Sequence, residues 1–244
     1  MIQFYAPDIE TTLTLPESDS QHCVRVLRRS EGDVIVAIDG RGKRFTCRII
    51  EAHAKRARVE IIGTEYLHPF WQGKIAIAVA PTKHLDRMEW LTEKLTEIGV
   101  DRITPLLCRH SERRDIKQSR LEKIAVSAMK QSLKAVCPEV DDMTPFMQFV
   151  EENRQTAQKF IAWCDDSHPR RLLSQALQPG LDAVVAIGPE GDFSPEEVDA
   201  AMAVGFIPVS LGNARLRTET AALVACDTFH IVGQLAGTDS AKPS

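Results

Sequence analysis

From Asp33 to Ile62 the chain reads DVIVAIDGRGKRFTCRIIEAHAKRARVEII, where β-branched residues alternate with polar ones. A period of two sends successive side chains to opposite faces of a strand, and Asp39-Gly40 offers a hairpin corner, so several short antiparallel strands are predicted here. After EYLHPFWQGK, residues 65–74, the pattern changes: KIAIAVAP, RITPLLC, KFIAWCD, LDAVVAIG and IPVSLG are apolar runs without alternation. Such runs suit strands covered on both faces of a parallel sheet. Between them lie helical stretches, with Met88, Leu91, Leu95 and Ile98 on one face of LDRMEWLTEKLTEIGV and a long helix predicted over residues 119–136. The fold class is therefore α/β. A small β-barrel or sheet occupies residues 1–72, a parallel-sheet domain occupies 73–244, and only the tail AGTDSAKPS reads as disordered.

Two corners of the second part are rich in glycine. In IGPEGDFSPEEV, Pro189 fits the second position of a type I turn running from Gly188 to Gly191. Ser194 then fits a helix N-cap, Pro195 the first helical position and Glu197 the reciprocal partner of a capping box, with Gly205 ending the helix. Capping accounts for Glu196 and Glu197 but leaves Glu190 unexplained. The second corner, SLGNARLRTETAALVA, closes a strand at Gly212 and opens a largely apolar helix near Thr218. Ligands of open parallel sheets bind outside the carboxyl ends of strands, where glycine lets backbone come close. Neither corner carries a dinucleotide or phosphate-loop motif, so another small ligand is implied.

Composition narrows the class. A hydrophobic content of 43% with 26% charged residues is that of a folded globular protein, and 244 residues suit one large domain or two small ones. Six scattered cysteines, Cys23, Cys47, Cys108, Cys137, Cys164 and Cys226, show neither metal-ligand spacing nor a disulfide framework and read as reduced core thiols. With no signal-peptide pattern and no apolar run near the ~18 residues of a membrane span, the expectation is a cytoplasmic protein that binds no metal.

The net charge of −4 conceals a local excess. Ten basic against four acidic residues between Gln21 and Arg58 leave about +6. Eight Lys or Arg between Arg109 and Lys134 face three acids. These stripes are either solvated faces or surfaces for a polyanion.

The two glycine corners, with HCVRVLRR near the start and EKLTEIGVDRITPLLCRHSER between, resemble the RsmE family of small-subunit ribosomal RNA uridine N3-methyltransferases, of the SPOUT class. The resemblance covers nearly the whole chain and departs from the usual form at Asp192, where glycine is common, and at Ala214. It implies an N-terminal PUA-like β-barrel for RNA, a C-terminal parallel sheet with a deep trefoil knot, and a homodimer. S-adenosylmethionine is the implied cofactor, lined by Ile187, Gly188, Pro189, Glu190, Gly191, Leu211, Gly212, Leu216, Thr220 and Ala221. The implied partner is 16S ribosomal RNA or the small ribosomal subunit.

Methyl transfer to a nitrogen needs alignment and dryness, and uridine N3 must also lose its proton. Arg217 is the candidate to meet the target nucleotide, because a planar guanidinium suits planar anions. Glu190 or Glu219 is the candidate to orient the base or take the proton; the competing reading makes these acids part of a structural Arg–Glu pair. His22, Arg25, Arg28 and Arg29, with Lys83, Arg109 and Arg113, are candidate RNA contacts; His110 is as compatible with a structural role, and Trp71, Trp90 and Trp163 are assigned to the core. A noncatalytic RNA-binding module and an enzyme using another nucleotide cofactor are the rival classes, separated by which ligand the glycine corners take.

Overall fold

The computed structural model describes residues 2–164 and 170–237. The tail beyond residue 237 and Asp165 of the third apolar run lie outside the described residues.

The chain divides into two compact units, Met1–Pro69 with Ala125–Cys137, and Phe70–Ile124 with Pro138–Ser244. In the first, strands β1 (Gln3–Tyr5), β2 (Val34–Ile38), β3 (Lys43–Glu51) and β4 (Arg58–Tyr66) form one sheet in that order. The β2–β3–β4 pairings are antiparallel, as the alternation predicts, whereas β1 joins β2 in parallel. Alternate residues Phe45, Cys47 and Ile49 of β3 point into a core shared with Phe4, Ile9, Leu15, Ile35 and Val59. Helices α1 (Ile9–Thr12) and α2 (Glu17–Gln21) and a π-helical turn, His22–Val26, fill the segment between β1 and β2.

The second unit holds β5 (Ile75–Val79), β6 (Arg102–Leu107), β7 (Glu139–Val140), β8 (Thr144–Pro145), β9 (Gln158–Ala162), β10 (Arg171–Leu172), β11 (Ala183–Ile187) and β12 (Ile207–Ser210). They make an eight-stranded sheet of order β10-β12-β9-β11-β5-β6-β7, with β8 beside β6. Every pairing is parallel. Helices α3 (Leu85–Ile98), α4 (Gln118–Gln131), α5 (Phe146–Glu152), α6 (Leu173–Ala176), α7 (Pro195–Ala203) and α8 (Thr218–Leu235) complete the chain.

The unbroken apolar runs have a direct cause. Ile75, Ile77 and Val79 of β5, with Val185 and Ile187 of β11, face a core built with Met88, Leu91 and Leu95 of α3 and Ala222, Ala225 and Phe229 of α8. Their neighbours Ala78, Val184 and Ala186 face a second core with Phe146 and Phe149 of α5 and Val198 and Ala201 of α7. Both faces of the sheet are dry, so no position along these strands favours a polar residue.

The helix predicted to run to residue 136 stops at Gln131. Leu133 turns into the left-handed region at φ 58°. The following residues instead pair with the hairpin corner, Gly42 N donating to Ala135 O at 3.0 Å and Cys137 N to Gly40 O at 2.9 Å. Met129 and Ala135 bury against Ile38. That packing explains why Ala125–Cys137 groups with the first unit, although a single cut at residue 72 assigns it to the second. Two assignments to the core are corrected: Cys164 and Trp90 are exposed, the latter by 43%.

Candidate functional site

Parallel order brings the ends of β6, β5, β11 and β9 side by side, and the loops that leave them are tied by hydrogen bonds. The loop after β11 contains a turn that runs from Pro189 to Asp192, closed by Asp192 N donating to Pro189 O at 2.9 Å. This displaces the predicted Gly188–Gly191 turn by one residue. Asp192, the last residue of that turn, sits at φ 61°, the left-handed conformation that glycine favours and that Asp tolerates better than most. Its Oδ1 accepts from Phe193 N at 2.8 Å, its Oδ2 accepts from Cys164 N beyond β9 at 3.1 Å, and its carbonyl oxygen lies 3.1 Å from His110 Nδ1 beyond β6. The departure at Asp192 thus lies in the turn itself and fastens three strand ends together.

At this corner the protein itself comes close to both glycines. A Cβ at Gly188 would meet Phe193 Cδ2 at 3.1 Å and Asp192 Oδ1 at 3.2 Å, and one at Gly191 would meet His110 Cβ at 3.2 Å. The crowding there is by the protein's own side chains, where the sequence suggested a ligand. Gly212 differs: it sits at φ 118° with nothing within 4 Å of an added Cβ. At that corner the conformation demands glycine and the space beside it stays open.

Helix α7 begins as its sequence requires. Ser194 Oγ accepts from Glu197 N at 3.3 Å, Glu197 Oε2 accepts from Ser194 N at 2.9 Å, and Pro195 opens the helix. Beyond the predicted box, buried Glu197 also accepts from Arg109 N at 2.8 Å, and Arg109 Nη1 pairs with Glu196 Oε2 at 3.2 Å. Arg113 donates to Thr82 O and Lys83 O at 3.3 and 2.8 Å; Lys83 Nζ lies 3.5 Å from Glu112, and Lys83 N donates to Glu190 Oε1 at 3.4 Å. Lys83, Arg109, Arg113, Glu190 and the Gly188–Asp192 loop are therefore brought together, with much of the positive charge already engaged by backbone or carboxylate.

At the other corner, Leu211 and Ala221 are half-buried and lean on the core of α3 and α8; Leu216 and Thr220 are half-buried as well. Arg217 occupies the N-cap position of α8, exposed and without an ion-pair partner among the described residues. Glu219, two residues on, is buried at 7% exposure. Its Oε1 lies 3.7 Å from Arg87 Nη1 in the first turn of α3, and its Oε2 is buried with no hydrogen-bond partner. An unsatisfied carboxylate oxygen inside a protein is costly, so a donor from outside the chain is the natural complement.

Of the predicted contacts in the first unit, Arg25, Arg28 and Arg29 are exposed and His22 is half-buried against Phe4, their ring centroids 6.0 Å apart. Arg29 lies 4.0 Å from Asp33; Arg25 and Arg28 make no ion pair among the described residues. Arg87 is the residue that sequence reading missed, because nothing in MEWLTEKL or its neighbours signals a partner 132 positions away. No described helix is long and apolar enough to cross a membrane.

Comparison with known proteins gives a consistent family. A model described as an RNA methyltransferase domain matches residues 70–230, and one described as an RNA methyltransferase PUA domain matches residues 15–62. The chain is similar to ribosomal RNA small subunit methyltransferase E of Synechocystis, 31% identical over 225 residues, which cover 89% of this chain and 72% of that one. It is 26% identical to the protein of the same name from Bacillus subtilis, with 88% of each chain covered. Among solved structures, a probable rRNA-methyltransferase from Porphyromonas gingivalis is 46% identical with a TM-score of 0.93, covering 97% of this chain and all of that one. Ribosomal RNA small subunit methyltransferase E from Neisseria gonorrhoeae, bound to S-adenosyl methionine, is 27% identical with a TM-score of 0.79, covering 95% and 98%.

Proposed function

We propose, from the premise that this chain belongs to the ribosomal RNA small subunit methyltransferase E family, that it transfers a methyl group from S-adenosylmethionine to N3 of one uridine in 16S ribosomal RNA. The residues present suit that cofactor: Gly212 has open space where a Cβ would stand, and Leu211, Leu216 and Ala221 of the same corner are half-buried and apolar. Ile187, Gly188, Pro189, Glu190 and Gly191 from the first corner, with Leu211, Gly212, Leu216, Thr220 and Ala221 from the second, would hold it. When bound, it supplies a methyl carbon activated by a sulfonium.

The chain's own task is to align, exclude water and move one proton. We assign the proton to Glu219, whose buried Oε2 is free to accept it from N3 as the nitrogen takes the methyl group. Glu190, exposed and already accepting from Lys83 N, orients the site instead. Arg217 meets the target nucleotide and stabilises negative charge on the uracil. The single observation that carries this reading is the orphaned oxygen of Glu219, two residues beyond Arg217 at the helix start that follows Gly212.

The first unit is read as a PUA-like barrel that grips RNA through His22, Arg25, Arg28 and Arg29, aided by Lys83, Arg109 and Arg113 of the second. The second unit, residues 73–244 by the sequence boundary, is read as trefoil-knotted; the position of β12 outside β9, with α8 packed back against α3 and β5, supports this. The working enzyme is a homodimer in the cytoplasm. Mass spectrometry of 16S ribosomal RNA from cells lacking the gene, complemented with native or Arg217→Ala protein, tests the reading. One N3-methyluridine should vanish on deletion, return with the native gene and fail to return with the variant. Unchanged RNA in the deletion strain overturns it, as does an Arg217→Ala enzyme with native rate.

A further inference from the structure

The second charged residue of the Glu219 pair has no role in the reading above. Arg87 is the third residue of α3, a helix that starts within six residues of the end of β5. Glu219 is the second residue of α8, which starts soon after the end of β12. Both first turns therefore lie at the carboxyl edge of the sheet, where the glycine corners also lie, and there the guanidinium approaches Oε1 to 3.7 Å.

Three features argue that this pair serves the site rather than the fold. The separation is too long for a hydrogen bond, so Arg87 balances the charge without saturating the carboxylate. A cation in a helix's first turn also opposes the helix dipole, so Arg87 does not sit there for the sake of α3. Glu219, in contrast, is favoured by the first turn of α8 and is buried with one oxygen facing Arg87 and the other unpaired. A carboxylate held from one side keeps its free lone pairs on the other.

We propose that Arg87 is a positioning residue, which acts through Glu219 by fixing the carboxylate so that Oε2 is presented to the N3–H donor of the target uracil. The proposal rests on the reading of Glu219 as the proton acceptor. It makes Arg87 sensitive to the chemical step and nearly silent in cofactor binding.

The test compares native enzyme with Arg87→Lys, Arg87→Met, Glu219→Gln and the Arg87→Met/Glu219→Gln double variant. Calorimetry with S-adenosylmethionine is measured beside kcat and KM on small ribosomal subunits from the deletion strain. Glu219→Gln should lower kcat by ~10²-fold or more, the loss of a general base. Arg87→Met should lower kcat by about tenfold with KM and cofactor affinity within about twofold of native, and Arg87→Lys should recover most of that loss, since a shorter cation still balances the carboxylate. In the Glu219→Gln background, Arg87→Met should do nothing further. Equal losses in both backgrounds, or Arg87→Lys no better than Arg87→Met, overturn the Arg87 proposal while leaving Glu219 in place. A fully active Glu219→Gln enzyme overturns both. If Arg87→Met does not fold, Arg87→Gln, which keeps polar bulk without charge, replaces it under the same criteria.

Discussion

Replacing Asp192 separates two reasons for which a residue can be retained at one corner. Its backbone sits at φ 61°, a conformation that costs an ordinary side chain ~1–2 kcal/mol and costs glycine nothing. Its carboxylate accepts from Phe193 N at 2.8 Å and from Cys164 N at 3.1 Å, each worth ~1 kcal/mol net in a half-exposed setting. Asp192→Ala loses both bonds and keeps the strained φ, a cost of about 3 kcal/mol. Asp192→Gly loses both bonds but relieves the backbone, a cost of about 1 kcal/mol. Asp192→Asn tolerates the conformation and keeps one acceptor oxygen, which places it close to native, within ~1 kcal/mol. Urea unfolding followed by tryptophan fluorescence should rank the proteins native, Asn, Gly, Ala. A glycine variant as stable as native or more so would refute the reasoning, because the carboxylate's two bonds would then be worth no more than the backbone relief that glycine brings.

Gly188→Ala should cost ~1–2 kcal/mol through its contacts with Phe193 and Asp192, whereas Gly212→Ala, in open space, should suffer only the strain of φ 118°; thermal melts of the two variants check both, and a silent Gly188→Ala denies the crowding. Thiol labelling of the folded protein at neutral pH should reach exposed Cys164 first and leave Cys23 and Cys47 unreacted until unfolding. Burial pushes both of those thiols up to about 11, which starves them of thiolate; modification of either in the native state counts against that burial.

Much of this molecule is legible in one dimension. The change from alternation to unbroken apolar runs near residue 72 separates a half-solvated antiparallel sheet from a parallel sheet dry on both faces, since period and burial act on each residue locally. The capping box at Ser194 and Glu197 is equally local: donor and acceptor lie three residues apart, so spacing alone predicts the bonds found. The helix end at Gln131 was not legible, because what competes with further helix is a strand-like pairing to Gly40 and Gly42, almost a hundred residues earlier. The crowding at Gly188 and Gly191 was hidden too: Phe193, Asp192 and His110 come within 3.2 Å of where a Cβ would stand, and His110 arrives from a different strand. Period and spacing along the chain are enough to say which residues line strands, caps and corners. That Arg87 meets Glu219 and leaves its second oxygen bare emerges only in three dimensions, because an ion pair between the first turns of two helices depends on how the sheet orders its strands.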